Sequence, residues 1–200
     1  MMKRIALVLA MVPALASAND IAPGTFELSG GSNLGLNGGS VKTSVGGVSD
    51  TTDTSNYALS ATGLYYVMPN FGVGLTLDYA ADNQKFSDGT KDNLSSFLLG
   101  PAVSFEVPLA PQFSFFGRGD IGYVSATRDT GVSVNATGWG LGLEAGVKYF
   151  PVKVISFDAG LGYQYRSVST DQTPAQDITT TGFGLNLGLS VYFGGGEGHR

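Results

Sequence analysis

Alternation of apolar residues with small or polar ones runs through most of the chain and constrains its fold more than any other feature. Between Phe71 and Tyr79 every second residue is apolar, and the residues between them are Gly, Thr and Asp. Successive side chains of a strand point to opposite faces, so a period of two predicts strands with one apolar and one polar face. Eight such runs follow one another between Thr25 and Phe193.

The connections between the eight runs alternate in length. Short turns are predicted at 68–70, 108–112 and 151–153, and long loops rich in Gly, Ser, Thr and Asp at 38–55, 81–92, 124–135 and 167–179. Short turns at one end and long loops at the other are typical of up-and-down barrels. The sequence therefore predicts an all-β fold, an eight-stranded antiparallel up-and-down β-barrel over residues 19–193, with no second domain.

The beginning of the chain has the order of a secretory signal. Lys3 and Arg4 precede an apolar stretch that ends at the small residues Ala16, Ser17 and Ala18. A membrane-anchoring helix would need ~20 apolar residues, and this stretch is shorter and contains Pro13. We therefore expect residues 1–18 to be a signal peptide that is cleaved after Ala18.

The composition excludes several classes of protein. After Ala18 the chain has 9 basic and 16 acidic residues, so nucleic acid is not an expected partner. The absence of cysteine excludes disulfides and thiolate metal sites. Charged residues make up 14% of the chain, against roughly 25% in soluble domains, yet no apolar run after the signal has the length of a membrane-spanning helix. Low charge without such a helix favours a membrane-spanning barrel.

Soluble sandwiches and lipocalin-like barrels also show alternation, so the environment of the apolar face has to be decided separately. The opposite face is dominated by Gly, which weakens a water-exposed strand without aiding solubility. Aromatic residues lie near both ends of the apolar face, as at Trp139 and Tyr149, with aliphatic residues between them. Two aromatic girdles around an aliphatic band, on strands of ~9–11 residues, indicate that the apolar face meets lipid.

The last predicted strand ends with apolar residues at alternate positions, Leu189, Val191 and Phe193. This ending resembles the C-terminal signal of outer-membrane barrels, and the resemblance implies recognition by the barrel-assembly machinery. Residues 194–200 depart from the family pattern, in which the aromatic residue is usually the last one, and they are expected to form a short periplasmic tail.

Over residues 25–193 the chain resembles the small eight-stranded outer-membrane barrels of the OmpX, Ail and Lom type and the membrane part of OmpA. The resemblance rests on the strand pattern and supports the fold more than a particular function. It implies a monomer in the cell outer membrane, with lipid and lipopolysaccharide as neighbours and long loops on the outside.

The inward face carries charges that the narrow interior of an eight-stranded barrel would bring together. Unpaired charge in such a space is costly, so we predict a structural ion-pair network of Glu27, Glu106, Arg118, Asp120, Glu144, Lys148, Asp158 and Arg166. Bulky inward residues near the turns predict a plug made of Tyr66, Phe116, Phe150 and Tyr192. Above this plug we expect a small, water-filled vestibule lined by the glycines of the sixth and eighth strands.

The barrel enzymes that modify lipid A use a histidine as general base. The one histidine of this chain is His199, in the tail, so we do not expect an enzyme. No motif predicts a metal or cofactor, and the acidic loop residues are interpreted as solvated charges. Two functions remain: a structural or surface-interaction barrel whose loops contact lipopolysaccharide, host surfaces or matrix, and a narrow channel for ions or small polar solutes.

Overall fold

The structure is a computed structural model that describes residues 20–34, 39–45, 48–54, 57–85, 91–129, 133–172 and 175–195. The described residues form ten strands: β1 (Thr25–Leu34), β2 (Gly39–Val45), β3 (Val48–Thr54), β4 (Tyr57–Met68), β5 (Phe71–Lys85), β6 (Lys91–Ala110), β7 (Phe113–Asp129), β8 (Ser133–Val152), β9 (Ile155–Thr170) and β10 (Asp177–Gly194). No helix in this part of the chain is long and apolar enough to cross a membrane.

The strands form a closed antiparallel ring of eight staves, where a stave is one complete crossing of the barrel wall and can consist of two successive strands. β1 pairs with β4 on one side and with β10 on the other, in a register that runs from Thr25 opposite Gly194 to Leu34 opposite Leu185. The hairpin of β2 and β3 continues the first two staves, because β2 pairs with the beginning of β10. β1 with β2 and β3 with β4 therefore each make one stave, and the remaining six strands make one stave each.

The apolar face predicted from the alternation is the outer surface of the ring. Each of the eight staves exposes large apolar side chains on its outer face. Leu75, Leu143 and Leu161 are examples. Aromatic rings pack against one another near the turns, with centroids 5.1 Å apart for Phe113 and Tyr149. Near the loops the centroids of Tyr163 and Phe183 are 4.8 Å apart. Two aromatic belts thus border an aliphatic band, as expected of a surface that faces lipid.

The strands extend further into the predicted loops than the sequence indicated, so the predicted strand ends were wrong. β5 continues from Tyr79 in the aromatic belt as far as Lys85, and β6 already begins at Lys91. Segments 39–45 and 48–54, predicted as part of a long loop, form a hairpin. The wall of the barrel therefore extends beyond the lipid-facing band on the side of the long connections, which we call the loop end.

The opposite side, the turn end, is closed by three tight turns at 69–70, 111–112 and 153–154. A register shift precedes each turn, between Tyr66 and Met68, between Pro108 and Ala110, and between Tyr149 and Val152. Such bulges bend strands and increase their twist at barrel rims. Residues 1–19, with the predicted cleavage site, and residues 196–200, with His199, lie outside the described residues.

Close contact between neighbouring strands predicts that Gly74 cannot be replaced. A Cβ atom at this position would lie 1.8 Å from the carbonyl oxygen of Gly63, which belongs to backbone and cannot move aside alone. We expect Gly74→Ala to lower the free energy of unfolding in lipid by about 1–3 kcal/mol or more, as forced overpacking does. Gly63→Ala is the control, because a Cβ there meets no atom within 4 Å. Equal stabilities of the two variants in urea titrations would contradict this account.

Candidate functional site in the lumen

Lys148, on β8, is the centre of the lumen near the turn end. Its side chain is fully buried, with 0% exposure. The Nζ atom lies 2.7 Å from Glu27 Oε1 and 2.8 Å from Glu106 Oε1, and it donates a hydrogen bond of 2.5 Å to the Tyr192 hydroxyl. All three ammonium donors thus have acceptors, as a buried charge requires. Inward side chains from β1, β6 and β10 therefore all contact this one lysine.

Two tyrosines connect the carboxylates around Lys148. The Tyr66 hydroxyl lies 2.6 Å from Glu27 Oε2 and 2.7 Å from Glu106 Oε1, and it donates its single proton to one of them at a time. The Tyr192 hydroxyl lies 3.0 Å from Glu106 Oε1. Both rings are buried, with centroids 6.4 Å apart. These hydroxyls replace water as hydrogen-bond partners of buried carboxylates.

A second cation extends this cluster toward the middle of the barrel. Arg118 Nη2 lies 3.1 Å from Glu27 Oε1, and its Nη1 lies 4.0 Å from Glu144 Oε2. On the other side, Asp158 Oδ2 lies 4.0 Å from Lys148 Nζ. Glu27 therefore bridges the two cations, and the ion pairs form one continuous network across the lumen.

Two serines missed in the sequence analysis hold Asp158 in place. Ser156 donates a hydrogen bond of 2.6 Å to Asp158 Oδ1, and Ser190 lies 2.5 Å from Asp158 Oδ2 and 3.0 Å from Glu27 Oε1. Both are fully buried. Their inward position follows from the alternation of faces along the strands, in which every second residue points into the lumen. This alternation could have identified them from the sequence.

The predicted plug residues surround this network but play different parts. Phe150 packs against Tyr192 with ring centroids 5.6 Å apart. Phe116 lies between the cations, with Lys148 Nζ 5.4 Å and Arg118 Cζ 5.7 Å from its ring centroid. The aromatic face attracts a cation, so Phe116 adds to the stabilisation of both charges.

Residues just before β1 cover the turn end, which the sequence analysis did not foresee. Ile21 is buried and packs in one apolar cluster with Leu64, Tyr66, Ala102 and Tyr192, against which Phe150 also packs. The backbone of Ile21 is held by Asn70, whose Oδ1 accepts a hydrogen bond of 2.7 Å from Ile21 N and whose N donates one of 3.1 Å to Ile21 O. An apolar layer therefore lies below the charge network.

Asp120 lies above this cluster and interacts electrostatically with Arg118 and Glu144, and Arg166 interacts in turn with Asp120. Asp120 lines a polar cavity of about 50 Å³ in the middle of the barrel, together with Asp78, Arg118 and Glu144. Arg166 lies nearer the loop end and donates a hydrogen bond to Ser96 Oγ. The predicted charge network thus consists of a connected cluster at the turn end and further charged groups above it.

The vestibule predicted at the loop end exists as a cavity of about 210 Å³, but the prediction of its lining was wrong. Val, Ala and Ile side chains form its apolar part, polar and charged side chains form the rest, and none of its lining residues is a glycine. Two inward glycines of β8, Gly140 and Gly142, instead lie against side chains from neighbouring strands. Leu98 and Val124 fill the space at Gly140, and the Asp120 carboxylate fills that at Gly142.

The three residues of the predicted assembly signal lie on the outer face of β10. Leu189, Val191 and Phe193 are all exposed. The Phe193 ring is stacked on Phe26 of β1 with centroids 6.0 Å apart, at the seam where the first and last strands meet. Recognition of these residues by assembly machinery stays a prediction.

Comparisons with known proteins place the chain among membrane barrels. Residues 5–193 match the family described as "Outer membrane protein beta-barrel domain". Neisserial surface protein A (NspA) is 18% identical, with a TM-score of 0.58 over 85% of this chain and 99% of that chain. OprG from Pseudomonas aeruginosa is 14% identical, with a TM-score of 0.57 over 88% and 99%. Ail of Yersinia pestis is 17% identical, with a TM-score of 0.45 over 86% and 99%. No curated protein matches the chain.

Removal of the central lysine should destabilise the barrel strongly. Lys148→Met preserves much of the side-chain volume but leaves Glu106 buried without its cation and Glu27 paired with Arg118 alone. We expect a loss of about 3–5 kcal/mol in the free energy of unfolding. Lys153→Met, at an exposed turn position, is the matched control, and because an interaction at the surface contributes little, it should change stability by less than about 1 kcal/mol. Urea unfolding in lipid vesicles measures both, and similar values for the two variants would refute the structural role of the network.

Proposed function

Because the chain belongs to the family of outer membrane protein β-barrel domains and is thus an outer-membrane protein, we propose that it is a non-catalytic barrel with a closed lumen that contacts other surfaces through its loop end. The predicted fold class, location and likeness to small eight-stranded outer-membrane barrels are confirmed by the family match and the solved structures. The role of the lumen and of the loop end is our proposal.

Closure of the lumen at the turn end carries the proposal. Lys148 and Tyr66 have 0% exposure and Tyr192 has 2%, and this dense packing of three side chains supports a closed turn end. A solute passing through would have to separate ion pairs in a space without water to replace them, which is costly. Ile21 adds an apolar layer beneath.

The polar cavity in the middle of the barrel favours a narrow channel as the second candidate. It is lined by Asp78, Arg118, Asp120 and Glu144, which suit the passage of ions. Lys148, Tyr66 and Tyr192 do not line it, however, and they lie between this cavity and the turn end. We therefore favour the closed barrel.

Extension of the barrel wall at the loop end supports a surface role. β2 and β3 form a hairpin that pairs with β10 from Asp177 to Thr181, and it gives the loop end an ordered wall. Ordered strands lose less conformational entropy on binding than flexible loops do. Lipopolysaccharide and host or matrix surfaces are the proposed partners, and we propose that the protein acts as a monomer.

Conductance separates the two candidate functions. In planar bilayers the wild-type protein should show no stable single-channel currents, because the turn end is closed. The double variant Tyr66→Ala with Tyr192→Ala removes the two rings that fill this end and should show measurable currents. Tyr65→Ala, on the exposed lipid face of the same strand, is the control and should remain silent. Stable conductance of the wild-type protein would contradict the closed lumen.

Replacement of the β2–β3 hairpin tests the surface role. Exchange of residues 39–54 for a short Gly-Ser linker should leave the barrel folded, as judged by the mobility of unheated samples in electrophoresis. Cells displaying this variant should adhere less than wild type to matrix-coated surfaces. A Gly-Ser replacement of residues 86–90, between β5 and β6, is the control for a generic loop change. If the hairpin variant adheres as well as the wild type, the hairpin has no role in adhesion.

A further inference from the structure

The cavity at the loop end combines an apolar wall with one buried arginine. Its apolar lining includes Val124, Ala126, Ala136, Val168 and Ile178. These five pack with Leu98 in a buried cluster inside the barrel, on the face that otherwise carries polar residues. Apolar residues on the inner face of a membrane barrel gain nothing from lipid, so they suggest an apolar ligand.

Arg166 lines the same cavity and has an unused donor. It is 8% exposed, and its Nη1 donates a hydrogen bond to Ser96 Oγ. Its Nη2 has no hydrogen-bond partner among the described residues. A buried guanidinium with an unpaired donor is costly in free energy, and such a group in a folded protein calls for an explanation. An anion bound in the cavity would supply the missing acceptor.

The carboxylates of Asp78 and Asp120 interact electrostatically with Arg166, but neither accepts a hydrogen bond from its Nη2. The ion pairs of the turn-end cluster involve Lys148 and Arg118, both nearer the turn end than Arg166. Asp78 and Asp120 line the polar cavity in the middle of the barrel and do not line the outer one. Arg166 therefore stands at the boundary, with carboxylates on the inner side and apolar walls on the outer side.

We propose that this outer cavity binds a small amphipathic carboxylate, with its carboxylate at Arg166 and its apolar chain between Val124, Val168 and Ile178. A single guanidinium matches the single charge of a carboxylate and its planar pair of oxygens. Gln172 and Gln176, in the connection between β9 and β10, also line the cavity, so a ligand enters from the loop end. The binding requires no passage through the lumen and does not depend on the proposed function.

Hexanoate is a suitable probe, because it is small, anionic and apolar at one end. Titration of the protein in lipid nanodiscs, followed by methyl NMR, reports directly on Val124, Val168 and Ile178. We expect saturable shifts of these methyl signals with hexanoate. Hexanol lacks the charge and acetate lacks the chain, so each should bind at least about tenfold more weakly, as expected when one recognition element is missing.

Variants identify the arginine that is responsible. Arg166→Met should weaken hexanoate binding by about tenfold or more and leave hexanol binding unchanged, since only the charged contact is lost. Arg128→Met changes the other arginine that lines the cavity and should have a smaller effect. Ala136→Leu narrows the cavity and should weaken hexanoate and hexanol together. The methyl spectrum of each variant shows whether it is folded.

Three results would overturn the proposal. Equal affinities for hexanoate and hexanol would reduce the site to an apolar cavity without anion recognition. Equal affinities for hexanoate and acetate would leave only an anion site. Unchanged hexanoate binding in Arg166→Met would remove the arginine from the site.

Discussion

Hydrocarbon offers no hydrogen-bond partners to the backbone, and the rest of this structure depends on that constraint. The strands must pair with one another on both sides, and this forces β1 onto β10 and closes the ring. A ring of eight staves has an interior only wide enough for side chains. Inward residues from strands far apart in sequence, such as Glu27 and Lys148, are thereby pressed into contact. The ion-pair network is therefore a consequence of closure in a narrow barrel.

Within this narrow interior, side-chain size and charge divide the lumen into three levels. Large aromatic rings and charges fill the turn end, where Lys148 is completely buried. A polar cavity of about 50 Å³ follows, and the larger apolar cavity lies toward the loop end. The larger cavity lies where Ala126 and Ala136 replace the rings found below. The larger cavity thus lies on the side of the loop end, and the tightly packed side chains lie on the side of the turns.

Much of this architecture was predictable from the alternation, because a surface in lipid must be apolar at every second residue. The alternation failed where strands leave the lipid: β2 and β3 consist mainly of Ser, Thr and Asp with three valines, so the contrast between faces is weak. The pairing of charges depends on the stagger between strands, which the sequence does not give, so the individual partners of Arg166 could not be assigned. Ile21 lies before the first strand, outside any periodic pattern.

The glycines show that the face on which a residue lies can be predicted from sequence, whereas the free space around it cannot. Their inward position was predicted correctly from the alternation of faces, but the prediction that they line an open vestibule at the loop end was wrong. At Gly140 the side chains of Leu98 and Val124 occupy the space that a Cβ would take, and at Gly142 the Asp120 carboxylate does so. Glycine in one strand therefore allows larger residues in its neighbours to turn inward. The apolar wall of the outer cavity follows from this, and it places Arg166 against a surface that can hold an apolar chain.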